Sequence, residues 1–248
     1  MGNTHANLNE FKFVPGNLEQ VLTAYESKSI SRGTPIHLVN SFTLYCAARD
    51  RELAKILKSD VLLTDGKPLF KYLQLKNKEI KHFRGPDLMR ETLAVSDGNQ
   101  RHFFLGGTEN SIKKLITNIE VKFPKNNICG YLAPPFSNDL RKQINKIAAE
   151  VNLSDPTTIW VSLGTPKQDY FVHELAKYTP ARIYAVGAAF DFISEDVGEA
   201  PPWIRALYLE WLFRFTRQPK RLAKRYLLGN PYFIFSVIQD LIYSVRKL

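Results

Sequence analysis

The sequence predicts an α/β fold: a Rossmann-like parallel sheet with helices on both faces, plus a C-terminal basic, aromatic helical appendage. Short, nearly continuous apolar runs alternate with amphipathic stretches from residue 36 to 186, the pattern of strands buried on both faces and joined by crossover helices. Polar or glycine-containing corners follow those runs, where ligands of open α/β sheets bind. Composition then changes abruptly: Trp203 to Leu248 carries nine Lys or Arg against Glu210 and Asp240, with ten of the thirty aromatic residues.

Taken in order, a polar start leads to a short helix from Asn17 to about Lys28, with Asn17 as N-cap. Strands are expected at Ile36 to Val39, Val61 to Thr64, His102 to Leu105, Ile128 to Leu132, Thr158 to Leu163 and Ile183 to Val186. Helices are expected at Phe42 to Lys58, Glu109 to Phe123, Asn138 to Val151 and Lys167 to Tyr178. The boundary near residue 201 gives two units, 1–200 and 201–248. In the second, Trp203 to Arg217 reads as one helix, Pro219 opens another, and Gly229-Asn230-Pro231 ends it. The last apolar run, Tyr232 to Val245, is shorter than the roughly 20 residues a membrane span needs and suits an interfacial segment.

With 44% hydrophobic and 23% charged residues, the chain is globular rather than disordered. Its net charge of +10 lies mostly in the last unit, which calls for an anionic partner. The aliphatic bulk there fits lipid better than nucleic acid. Two cysteines, Cys46 and Cys129, suit a reducing compartment, and MGNTHANLNE has no apolar run to direct export.

Asp65 follows the run VLLT and precedes Gly66, which puts a carboxylate on the ligand rim, able to take a proton from an attacking hydroxyl or merely to cap a turn. Arg84 can clamp a phosphate or pair with Asp87. Gly106-Gly107-Thr108 can bring amides to a diphosphate, although the GxGxxG spacing is missing and a tight turn explains the glycines as well. In Gly164-Thr165-Pro166-Lys167-Gln168 the proline can open a helix whose first amides, at Lys167 and Gln168, face a ligand. Asp191 is polar in an apolar run and needs a partner if buried. Arg214, Arg217, Arg221 and Arg225 recur at spacings of three and four, which stacks them on one side of a helix. No histidine or cysteine spacing fits a metal site, and no D-x-D is present to hold a metal against a nucleotide diphosphate.

Asn40, the TDG around Asp65, RGPDL from Arg84, FFLGG, LGTPKQD, VGAAFDF, APPW, LEWLFRF and QPKRLAKRY occur in that order. The set resembles the WecG/TagA/CpsF family of bacterial glycosyltransferases across residues 36 to 226. The resemblance implies an inverting, metal-independent transferase with no cofactor. Its donor would be a UDP-sugar and its acceptor a saccharide on a polyprenyl diphosphate at the inner face of the cell membrane, in polysaccharide or teichoic acid synthesis. It casts Asp65 as general base, Asn40, Arg84 and Gln168 as catalytic-pocket residues, and Asp191 as the uridine contact. Arg214, Arg221 and either Lys224 or Arg225 become the diphosphate ligands, with Gly106, Gly107, Gly164 and Lys167 at the substrate corners. An anionic membrane surface is the expected partner and nucleic acid is not. The oligomeric state is left open, a homo-oligomer included. Where the family often has Ala-Gly after FDF and Arg before Ala-Pro, this chain has Ser194-Glu195 and Glu199, which bears on the sugar transferred. The rival readings are a nucleic-acid module with a basic arm and a nucleotide-dependent oxidoreductase.

Overall fold

In the computed structural model, which describes residues 8–17, 20, 33–96, 98–134, 140–201, 203–204, 207 and 209–245, the apolar runs pair into one six-stranded parallel sheet. The strands are β1 (Thr34–Val39), β2 (Val61–Thr64), β3 (Arg101–Gly106), β4 (Asn127–Leu132), β5 (Thr158–Ser162) and β6 (Arg182–Ala185), in spatial order β2-β1-β6-β5-β3-β4. Period-two side-chain alternation divides the core in two. Phe104, Trp160 and Tyr184 point to one face, whereas Phe103, Leu105, Ile159, Val161 and Ile183 point to the other. Both sets are buried, which is why these strands read as unbroken apolar runs.

The helices are α1 (Ser41–Ala47), α2 (Arg51–Ser59), α3 (Lys67–Lys76), α4 (Gly85–Val95), α5 (Glu109–Lys122), α6 (Ile144–Leu153), α7 (Lys167–Leu175), α8 (Ala189–Ile193), α9 (Glu210–Arg217) and α10 (Pro219–Val245). Several differ from the sequence reading. The expected helix from Phe42 to Lys58 is two, because Asp50 accepts from the amides of Glu52 and Leu53 and starts a new helix at Arg51. Helix α3 was not anticipated, and of α4 only its start after Arg84 was; both carry a proline in the first turn with no side-chain cap to announce them. Asp191 sits on the short helix α8 rather than in an extended run. Leu209 is not helical, so α9 begins at Glu210 rather than Trp203.

The largest correction is α10, which runs unbroken for 27 residues through Gly229-Asn230-Pro231. Its tertiary contacts offset the missing proline donor. A Cβ built on Gly229 would lie 2.9 Å from the Phe42 backbone, so the helix rests directly on the first turn of α1. Phe233 joins the hydrophobic cluster of Leu44, Leu53, Leu62 and Leu69. Asp240, fully buried, accepts from Tyr72 and Lys76 of α3 and from Asn9. The expected helix from Asn17 to Lys28 lies almost wholly outside the described residues, although Asn17 and Gln20 exchange reciprocal capping hydrogen bonds.

His37 of β1 ties α7 to this face. Its Nδ1 lies 2.9 Å from Asp169 and its Nε2 3.0 Å from Asp60, which His173 also meets at 2.8 Å. Burial alone would lower the His37 pKa, but the hydrogen bonds and charges of Asp169 and Asp60 outweigh it and raise the value to about 9. Asp60 is itself held down at about 2: burial opposes this, and the hydrogen bonds and charges of the two histidines prevail. The His37 contribution to stability is therefore complete below about pH 6.5, the ordinary histidine value, and is lost as pH rises through about 9. The Asp60 contribution is present above 3.8 and is lost as pH falls through about 2. Equilibrium unfolding in urea is expected to show stability falling between pH 6.5 and 9 by an amount on the order of 3 kcal/mol. A His37→Asn variant, less stable throughout, should lose most of that slope; an unchanged slope would contradict the assignment.

Candidate active site

The register of β1 against β2 pairs Val39 with Thr64, so Asn40 and Asp65 leave the sheet side by side. Asn40 caps α1: its Oδ1 accepts from the amides of Phe42 at 3.0 Å and Thr43 at 3.2 Å. Its Nδ2 donates to Asp65 Oδ2 at 3.2 Å. One side chain thus fixes a helix start and orients the carboxylate. Gly66 makes this approach possible. It holds φ +77°, and a Cβ there would come 3.2 Å from the Asn40 Cβ.

Asp65 opens onto a cavity of about 270 Å³. The sheet side contributes Asn40, Asp65, Lys67, His82 and Arg84; the C-terminal helices contribute Glu210, Trp211 and Arg214 from α9, and Leu222, Arg225, Tyr226 and Asn230 from α10. The arginines do not form one continuous stripe, because the backbone leaves helical geometry at Gln218 between α9 and α10. Arg214 of α9 and Arg225 of α10 reach the cavity from two helices instead. The Arg214 guanidinium stands 5.0 Å from the Phe192 ring centre, and Arg225 stands 5.7 Å from that of Phe42. A Cβ on Gly164 would lie 3.7 Å from Arg225 Nη2, which brings the corner after β5 to the same rim. Four cationic side chains, Lys67, Arg84, Arg214 and Arg225, face two carboxylates, Asp65 and Glu210, so the lining favours an anionic ligand.

Arg84 is nine-tenths buried and its charge is engaged. Its Nε donates to Glu210 Oε1 and its Nη1 to Asp87 Oδ1, each at 2.9 Å, and Glu199 lies 3.7 Å from Nη1. Burial would lower its pKa, but Glu210, Asp87 and Glu199 raise it. His82 lines the cavity with a buried Nε2 that has no hydrogen-bond partner among the described residues. Burial pushes its pKa down against the pull of Asp65, which favours the neutral ring.

Other expected site residues fall elsewhere. Gln168 is buried in the scaffold: its Oε1 accepts from the Gly164 amide, its Nε2 donates to Ala185 O, and its own amide donates to Gly164 O. It supports the corner rather than lining the cavity, and its amide is spent on the Gly164 carbonyl. Lys167 and Lys224 are exposed and outside the lining. Gly106 and Gly107 close the end of β3, three strands from β1, where Gly106 packs against Ser162 of β5. Asp191 lines a small cleft with Phe192, Arg214 and Arg217, so Arg214 borders both this cleft and the main cavity. Ser194 and Glu195 face a surface depression with Lys114 and Asn118. The side chain of Arg221 lies outside the described residues. Glu210, His82 and Tyr226 were missed. Only Glu210 left a signal, as the single acid in the basic stretch from 203 to 225.

Among the described residues no group of His, Cys, Asp and Glu is placed to hold a metal ion, and no helix is long and apolar enough to cross a membrane. The chain from Trp203 on nevertheless exposes Trp203, Leu207, Trp211, Leu227, Ile234, Ile238 and Leu241.

A Rossmann-like sheet with a carboxylate and converging cations at its carboxyl edge sets a proton acceptor beside an anion site. Comparison with known proteins supplies the class. A model of the glycosyl transferase WecG/TagA/CpsF family matches residues 7–247, and the chain belongs to that family; it is a glycosyltransferase. It is 26% identical over 239 residues to an N-acetylglucosaminyldiphosphoundecaprenol N-acetyl-beta-D-mannosaminyltransferase of Bacillus subtilis, covering 94% of this chain and 91% of the relative. A protein of the same description from Bacillus spizizenii is 27% identical over 238 residues, covering 94% and 90%.

Proposed function

We propose that this chain transfers an N-acetylmannosamine-type sugar from UDP to an N-acetylglucosamine carried on a polyprenyl diphosphate, with inversion and without a metal, in surface polysaccharide or teichoic acid synthesis. The observation that carries this is the shared cavity of Asp65, oriented by Asn40, and Arg214 and Arg225 of the C-terminal helices. The names of the two relatives supply the acceptor and the sugar.

In this scheme the acceptor hydroxyl oxygen forms a bond to the anomeric carbon while the bond from that carbon to the donor phosphate oxygen breaks. Asp65 takes the hydroxyl proton, and the bonding electrons leave with UDP. Arg214 and Arg225 stabilise the charge that grows on the departing diphosphate. Asp191, which shares a narrow cleft with Arg214, is the residue assigned to contact the uridine. Attack opposite the leaving group inverts the anomeric centre. Residues 201–248 form the unit that meets the anionic inner face of the membrane, since its exposed apolar side chains suit the interface where a lipid-linked acceptor resides.

The test is transfer from UDP-N-acetylmannosamine to a short-chain polyprenyl-diphosphate N-acetylglucosamine in excess EDTA, with the product anomer read by NMR. A β-linked product formed at undiminished rate is expected. Absence of product, retention of configuration, or loss of activity with EDTA would each overturn a named part of the reading. Vesicle sedimentation is expected to show binding to anionic but much less to neutral lipid, with about a tenfold loss between low and high salt.

A further inference from the structure

Tyr226 closes the run QPKRLAKRY, follows Arg225 directly on α10 and lines the cavity, yet the reaction above gives it no part. Its ring is held by α9. Trp211 and Phe215, four residues apart and so on one side of that helix, bring their ring centres to 5.9 Å and 6.1 Å from it, with Trp211 edge-on at 86°. The same two helices carry Arg214 and Arg225. This aromatic joint therefore fixes the phenol in the wall that delivers both guanidiniums.

The hydroxyl is unsatisfied. It makes no hydrogen bond among the described residues, although the side chain is partly buried. Arg84 Nη2 and His82 Nε2 are unpartnered as well but sealed from solvent, and the Tyr226 oxygen is not among such sealed atoms. An O–H in a cavity wall can take its partner from a ligand. Burial raises the phenol pKa, Arg214 opposes it, Glu210 adds to it, Arg225 opposes it and Asp65 adds to it, with a net upward shift. The group is therefore a neutral donor at working pH.

These features select one atom of the sugar donor. The non-bridging oxygens of a diphosphate are charged before reaction and suit guanidiniums. The oxygen that joins the diphosphate to the sugar is uncharged until its bond to the anomeric carbon breaks, and a neutral O–H suits it. Of the charged groups around the phenol, Arg214 acts on it most strongly, so an anion seated on Arg214 lies within its reach.

We propose that Tyr226 is a further catalytic residue, whose hydroxyl donates a hydrogen bond to the leaving oxygen as the bond from the anomeric carbon breaks. The bonding electrons pass to that oxygen, the O–H meets the charge they bring, and the tyrosine keeps its proton throughout. The inference rests on the glycosyl-transfer reading above and adds a residue to the same site.

Such a hydrogen bond is weak to the intact donor and strong to the product, because UDP carries charge on that oxygen and UDP-N-acetylmannosamine does not. Tyr226→Phe is expected to lower the single-turnover rate of transfer about 100-fold and to weaken UDP about tenfold, while UDP-N-acetylmannosamine stays within about threefold of wild type. The rate is read with the short-chain acceptor, and both affinities by calorimetric titration without it. Phenylalanine keeps the ring against Trp211 and Phe215, so the joint between α9 and α10 survives. A merely structural role would move the two affinities alike. Affinities that shift by the same factor, or a rate within about threefold of wild type, overturn this inference and leave the glycosyl-transfer reading standing. Absence of transfer by wild type removes both.

Discussion

Asp65→Asn is expected to lower turnover by about 10²- to 10⁴-fold, the range by which a positioned general base accelerates proton transfer. UDP affinity should stay within about threefold of wild type, since Arg214 and Arg225, the proposed diphosphate ligands, come from the C-terminal helices and not from the wall of Asp65. The substitution is suited to this question because Asn40 Nδ2 can still donate to the remaining amide oxygen, so the capping of α1 and the packing of Gly66 against Asn40 survive. What is lost is the capacity to accept a proton. Steady-state transfer assays with calorimetric titration of UDP separate the two quantities. Turnover retained within tenfold would remove Asp65 from the role of base, whereas a parallel loss of UDP binding would mean that the carboxylate shapes the donor site instead.

Gly229→Val is expected to lower kcat/KM by about 100-fold or more, although Gly229 touches no substrate in this scheme. Its Cβ would stand 2.9 Å from the Phe42 Cα and N, and a backbone in the first turn of α1 cannot give way as a flexible side chain can. The helix must lift instead. With it would move Leu222, Arg225, Tyr226 and Asn230, one whole wall of the cavity. A displacement of about 1 Å at a reacting centre is enough to cost a factor near 100. Gly229→Ala should give an intermediate loss with the same sign. UDP affinity should fall together with turnover, unlike in Asp65→Asn. Wild-type kinetics in Gly229→Val would show that α10 is not seated on α1 as described.

The sheet was legible because every strand but the edge strand β4 is buried on both faces, so the apolar letters mark it without help from tertiary context. Helices α3 and α4 were hidden for the opposite reason. Each starts on Lys-Pro or Gly-Pro, with no Ser, Thr, Asp or Asn cap to announce it. Pro231 misled because its local penalty is offset by remote contacts of Gly229, Phe233 and Asp240, none of which can be read from neighbouring residues. In the site, Asn40 and Asp65 could be found because each follows an apolar run directly. Gly106 and Gly107 satisfy the same rule and still lie away from the cavity, since a corner belongs to a site only through strand order, and β3 is separated from β1 by β5 and β6. The pairing of Arg84 with Glu210, 126 positions apart, is likewise a product of the fold and not of any local pattern.

The inward aim of Arg214 and Arg225 is the feature that most separates an enzyme from a nucleic-acid arm, which would spread its cations over the surface. Its most direct test is a crystal structure of the protein with UDP bound. The diphosphate oxygens are expected within hydrogen-bond distance of Arg214 or Arg225, in the cavity that Asp65 lines. A diphosphate seated on the Gly106-Gly107 corner, out of reach of both arginines, would contradict it.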